Sequence, residues 1–158
     1  MTFTVFISSS TQDKYVVKEL VNVLHKYGIE ARVPWRSLAI SEEYVKKISQ
    51  LIQNSDCVLV IISLRALTHL DNVNYEIELA RKLFRPIIPI VEHGAYIPDS
   101  LRDKEYIVID RTQPKLSYEN AAKYINSLKI QKEKRSGLGG LLLLGIGLLL
   151  LADLTSEE

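Results

Sequence analysis

A chain of 158 residues is enough for one domain of ordinary size with a substantial core. Its 20 Lys and Arg nearly cancel its 19 Asp and Glu, so the balance offers no electrostatic footprint for nucleic acid. The single cysteine, Cys57, excludes an intrachain disulfide and a thiolate cluster, and His25, His69 and His93 fall in no metal-ligand spacing; no metal and no cofactor is expected.

Phe3-Thr4-Val5-Phe6-Ile7 reads as a buried strand, too short and without the basic leader of a signal peptide. Ser8-Ser9-Ser10-Thr11 ends it and offers a hydroxyl to cap the next helix. That helix is expected from Asp13 to Tyr27, with Val16, Val17, Leu20, Leu24 and Tyr27 inward and Gly28 as its stop. Ile29 to Val33 alternates like a strand near an edge, and Pro34 to Ile40 is a loop. Ser41 caps a helix to Asn54 whose inner face is Val45, Ile48, Leu51 and Ile52. Cys57 to Ile62 is the most apolar run before the C-terminal segment, hence a central strand. After the loop from Ser63 to Asp71, a helix carries Val73, Ile77, Ala80 and Phe84 at core-facing spacing, and Pro86 stops it before the strand Ile87 to Val91. Tyr106 to Ile109 is a last strand, followed by a helix from Ser117 to Lys129.

This alternation predicts an α/β protein: a flavodoxin-like, doubly wound sheet of five parallel strands in the order 2-1-3-4-5. Ligands of such sheets sit at the carboxyl ends of strands 1 and 3, where the winding reverses. Those ends carry Ser8, Ser9, Ser10 and Ser63, with Trp35 and Arg36 after strand 2. The helix beyond strand 3 brings a carboxylate to the same rim. Glu78 has Arg81 and Lys82 three and four positions on, a solvated and ion-paired face. Glu76 is instead in line with Leu79, Ala80 and Leu83, where a half-buried carboxylate needs a reason. The plain alternative is the general preference for acidic side chains near a helix N-terminus.

Val5-Phe6-Ile7-Ser8-Ser9-Ser10 with Asp13, the run Ser55 to Ser63, Glu76-Ile77 with Ala80, and Pro86-Ile87-Ile88-Pro89-Ile90 together resemble the TIR (Toll/interleukin receptor) domain, prokaryotic type, over residues 3 to 128. The resemblance implies an NAD⁺ nucleosidase, a glycohydrolase or cyclase cleaving the nicotinamide–ribose bond with NAD⁺ as substrate and no added cofactor. It implies Glu76 as the catalytic residue, active on clustering through TIR self-association, with antiphage defence as the setting. Ser8, Ser9, Ser10 and Ser63 become candidates for ribose or phosphate contacts, Trp35 for base stacking and Arg36 for a phosphate. The serines can equally serve as caps, and Trp35 as a loop aromatic over the sheet edge. Two positions depart from the family pattern: Asn72 stands where enzymatic members often carry Trp, and residues 34 to 41 contain no glycine. The competing readings are a non-enzymatic adaptor acting by TIR–TIR association, and a relative of the nucleoside deoxyribosyltransferases.

Residues 129–136 read as a charged linker following a domain at 1–128. From Gly137 to Ala152 no side chain is polar, which predicts a C-terminal apolar helix over 137–154. Flanked by Lys132, Lys134 and Arg135, it is expected to anchor the protein in a membrane with the domain on the cytoplasmic side, although sixteen helical residues reach only about 24 Å. An apolar helix that self-associates in water is the other reading.

Overall fold

The computed structural model describes residues 2–34, 40–65 and 71–138. Five strands, β1 (Phe3–Ser8), β2 (Ile29–Arg32), β3 (Cys57–Ile62), β4 (Ile87–Glu92) and β5 (Ile107–Ile109), form one parallel sheet in the order β2-β1-β3-β4-β5. The helices are α1 (Lys14–Lys26), α2 (Glu42–Gln53), α3 (Asp71–Lys82) and α4 (Pro114–Leu138), with 3₁₀ turns at Thr11–Asp13 and Asp99–Leu101. The described residues up to Ala122 form one compact unit, and those from Lys123 belong to another.

Every residue of β1, β3 and β4 is buried, as a strand covered on both faces requires, and β3 lies in the middle of the sheet. Phe6, Val58, Val60 and Ile62 turn one way, into a core completed by Ile48 and Ile52 of α2 and by Val73, Ile77 and Ala80 of α3. Val5, Ile7, Leu59 and Ile61 alternate to the other face, the side of α1 with its buried Val17, Leu20 and Leu24. Gly28, at φ +71°, takes the left-handed turn out of α1, and Ser41 caps α2 by accepting the Tyr44 N–H at 3.2 Å.

Pro89 lies inside β4, paired in register with Val60, and the sheet tolerates it for a geometric reason. The Val58 N–H bonds the Pro86 carbonyl, so the even-numbered residues of β4 face β3 and the odd-numbered ones face β5. The donor that Pro89 lacks therefore points towards β5, whose pairing begins only at Ile90.

Three expectations are corrected. Phe84 does not continue the buried stripe of α3: it is 91% exposed and stands at φ +55°. The helix closes at Lys82, where the Arg85 N–H bonds the Ala80 carbonyl and the Phe84 N–H bonds the Arg81 carbonyl, the paired ending in which the last residue turns left-handed. β4 runs one residue past Val91, to Glu92. The last helix spans Pro114–Leu138 rather than Ser117 to Lys129, so the charged stretch after Lys129 is helical, its side chains as compatible with a helix as with a linker. Among the described residues no helix is long and apolar enough to cross a membrane; beyond Leu138, the apolar segment at 137–154 lies outside them.

Candidate functional site

β1 and β3 end side by side, with Ser8 in register with Val60, so the serines after β1 and Ser63 after β3 come to one rim. The chain then parts them. Ser8, with the parity of Phe6, faces α3, and its hydroxyl donates to Glu76 Oε1 at 3.4 Å. Glu76 is fully buried rather than half-buried, among Val73, Ile77 and Ala80 on the inner face of α3. Two residues on, Glu78 points to solvent with its carboxylate 3.5 Å from Arg81, as the spacing requires.

Ser9 and Ser10 are buried against α1, where they line a groove of about 500 Å³ with Lys14, Lys18, Val33 and Pro34. Ser10 Oγ also accepts the Gln12 N–H at 3.2 Å, so it caps the 3₁₀ turn as well. Trp35 and Arg36 follow Pro34 and lie outside the described residues.

Ser63 goes to neither place. It lines a separate cavity of about 290 Å³ with Asp13, Glu92 and Arg111. Asp13 is 3% exposed; burial raises its pKa above the ordinary 3.8, against the lowering effect of a Ser63 hydrogen bond, while Glu92 raises it and Arg65 and Arg111 lower it. Among the described residues its buried Oδ2 finds no hydrogen-bond partner. Glu92, also buried, pairs with the Arg111 guanidinium and accepts the Leu64 N–H at 2.8 Å. Glu92 shares the parity of Ile90 and not of Val91, which packs in the α2–α3 core, so this cavity lies across the sheet from Glu76. Sequence reasoning passed over Glu92 and Arg111. The alternation Ile88, Ile90, Glu92 was the available signal, hidden by ending the strand at Val91.

The family model of the TIR domain matches residues 5–125. No curated protein matches the chain. Among solved structures, the TIR domain of a Toll-related receptor from Hydra magnipapillata is similar at 23% identity, covering 78% of this chain and 98% of that one, with a TM-score of 0.62. A prokaryotic SEFIR domain is 20% identical over 78% of this chain and 92% of its own, at a TM-score of 0.58. A CMP N-glycosidase from Clostridium botulinum is 16% identical over 75% and 97%, at a TM-score of 0.55. At these identities the three likenesses speak to the fold.

Proposed function

The chain belongs to the TIR-domain family, and from that premise we propose that it is an NAD⁺ nucleosidase with Glu76 as its catalytic residue. The observation that carries this reading is a carboxylate buried at the carboxyl end of the sheet, beside Ser8, on a helix whose neighbouring Glu78 is in solvent. The fold has no evident need for a carboxylate at that place. The likeness to a CMP N-glycosidase adds that this architecture accommodates cleavage of an N-glycosidic bond.

In the reaction, the bond from ribose C1′ to the nicotinamide nitrogen breaks, and its electron pair leaves with the ring and neutralises the pyridinium. Positive charge develops on the ribose, and the Glu76 carboxylate stabilises it at short range in a low-dielectric setting. Water then attacks C1′ to give ADP-ribose, or a nucleophile of the same ADP-ribose closes a ring. Ser8 holds the carboxylate in place, and Lys14 and Lys18, which stand with Ser9 and Ser10 on the α1 side of the sheet, would have to meet the pyrophosphate round the ends of the strands. Trp35 and Arg36 would complete the base and phosphate contacts, and Ser63, across the sheet, drops to a supporting role. Because Glu76 is sealed in the free chain, the competent state is a minority conformer, and self-association that favours it raises the rate. An anchor at 137–154 would hold copies together at the cytoplasmic membrane face, a setting suited to antiphage signalling.

The same complete burial of Glu76 favours the alternative, a non-enzymatic adaptor that recruits other TIR domains. Nicotinamide release from NAD⁺ by the full chain, clustered in liposomes, decides between them. Glu76→Gln keeps the size and removes the charge, so release should fall by about 10²–10³-fold or more while the fold persists, and Glu78→Gln should change it less than twofold. Parental turnover by Glu76→Gln overturns the mechanism, and a silent parent supports the adaptor.

A further inference from the structure

The groove beside α1 gathers positive charge and a buried hydroxyl that nothing in the fold answers. Ser9 continues the alternation of Val5 and Ile7, so its side chain turns to the α1 face of the sheet, where it lines the groove. It is 5% exposed, and among the described residues its hydroxyl has no hydrogen-bond partner. That hydroxyl is not one of the polar atoms sealed from solvent, and the surface it keeps opens on the groove. Lys14 and Lys18, one turn apart on α1, bring two ammoniums to the same rim, and neither has an ion-pair partner among the described residues. No carboxylate lines the groove there, and Asp13 turns to the cavity on the other side of α1. The first turn of α1 holds no acidic side chain, so the helix dipole adds to the positive field instead of meeting an opposite charge. Val17, Val21, Val33 and Pro34 line the rest with aliphatic surface. At about 500 Å³ the groove is within the range of small-molecule sites.

We infer that this groove is a binding site of its own for a phosphate monoester with an apolar body, a nucleoside 5′-monophosphate or an alkyl phosphate. Two ammoniums match the nearly double negative charge that a monoester carries near neutral pH and a carboxylate or phosphodiester does not. The phosphate sits between Lys14 and Lys18, the Ser9 hydroxyl donates to one of its oxygens, and the body lies along the valines. Glu76 and Ser8 belong to the α3 face, so the groove and the reacting ribose are on opposite faces of the sheet. The pyrophosphate of NAD⁺ reaches these lysines only round the strand ends, whereas a monoester meets them where they stand. The inference goes beyond the proposed reaction and does not depend on Glu76.

The test is valine-methyl NMR on the full chain in detergent, as the Glu76→Gln variant, titrated separately with adenosine 5′-monophosphate, butyl phosphate and adenosine. Saturable shifts at Val17, Val21 and Val33 are expected with a monoester, and the tighter of the two identifies the body. Adenosine, which lacks the phosphate, should bind at least tenfold more weakly than its monophosphate. Lys14→Gln combined with Lys18→Gln changes two exposed side chains and should weaken monoester binding at least tenfold. Ser9→Ala removes one donor and should weaken it at least threefold. Saturating NAD⁺ should leave the monoester's affinity within twofold. The inference is overturned by no saturable shift at the three valines, by equal binding of adenosine, or by unaltered affinity in either folded variant. Displacement of the monoester by NAD⁺ also overturns it, since the groove would then be part of the dinucleotide's site. Because this readout needs no turnover, absence of NAD⁺ cleavage leaves it unaffected, and its own failure says nothing against Glu76.

Discussion

Replacing Phe84 by glycine should leave the domain as stable as before or slightly more stable, although it deletes a whole aromatic side chain. Phe84 is 91% exposed, so truncation forfeits the burial of only the remaining 9%. On a side chain of about 200 Å² that is roughly 20 Å², or about 0.5 kcal/mol at 25 cal/mol per Å². The left-handed backbone at φ +55° costs a residue with a Cβ about 1–2 kcal/mol, and glycine removes that strain. Glycine gives back about 0.5–1 kcal/mol through the greater freedom of the unfolded chain. The balance falls between about −0.5 and +1 kcal/mol, against a loss of 3–5 kcal/mol for truncating a buried phenylalanine. Urea unfolding of the full chain in detergent, parent against Phe84→Gly, measures it, and the thermal midpoint should move by no more than about 4 °C. A loss above about 1.5 kcal/mol refutes the reasoning, because the ring would then have to be packed in the folded protein.

Outcomes at three other residues follow from described geometry. Burial, with a smaller contribution from Asp56, pushes the Cys57 thiol up from 9.0 to about 12, so a thiol-specific disulfide reagent should label it at about pH 8 only as fast as the sheet opens. Since the folded pKa is the higher one, the associated stability is present in full below about 9 and is lost as pH rises through about 12; unfolding free energy should be lower at about pH 10.5 than at about pH 8. Arg111→Ala should cost about 2 kcal/mol in urea unfolding by stranding the buried Glu92; the 3–5 kcal/mol of a fully buried pair is not reached because the Arg111 side chain is 56% exposed, and no change at all would mean the ion pair is not formed in solution. Ser41→Ala should cost about 1 kcal/mol through the lost cap of α2, read in the same assay, and Ser41→Asn should recover most of it.

The five strands and their order were legible because each buried strand is written as an unbroken apolar run, and because parallel connections leave few ways to wind it. Helical periodicity also separated Glu76 from Glu78, since two positions on a helix differ by about 200° around its axis. Phe84 misled for the opposite reason: it continues the period of α3 in sequence after the backbone has left the helix, and nothing in the pattern marks a left-handed residue that is not glycine. The length of α4 was hidden because Lys, Glu and Gln favour helix and linker alike. The parting of the rim serines was beyond reach of the sequence. Ser8, Ser9 and Ser63 sit at one end of one sheet, yet the pleat sends Ser8 to Glu76, Ser9 to the α1 groove and Ser63 to Asp13, and that choice depends on where each strand ends to within one residue.

The missing donor at Pro89 has a consequence in time. β5 has only three residues, its pairing to β4 starts after Pro89, and Val108 at its centre is 45% exposed. β1, β3 and β4 are bound along longer runs and buried throughout. Amide hydrogen exchange should therefore find Ile107–Ile109 releasing their protons early, as a local opening far less costly than global unfolding, while the amides of β3 exchange last. Ile109 and Arg111 also line the cavity that Asp13 and Glu92 border, so the weakest ladder of the sheet is one wall of that space, which should breathe with it while the rest of the fold stays shut.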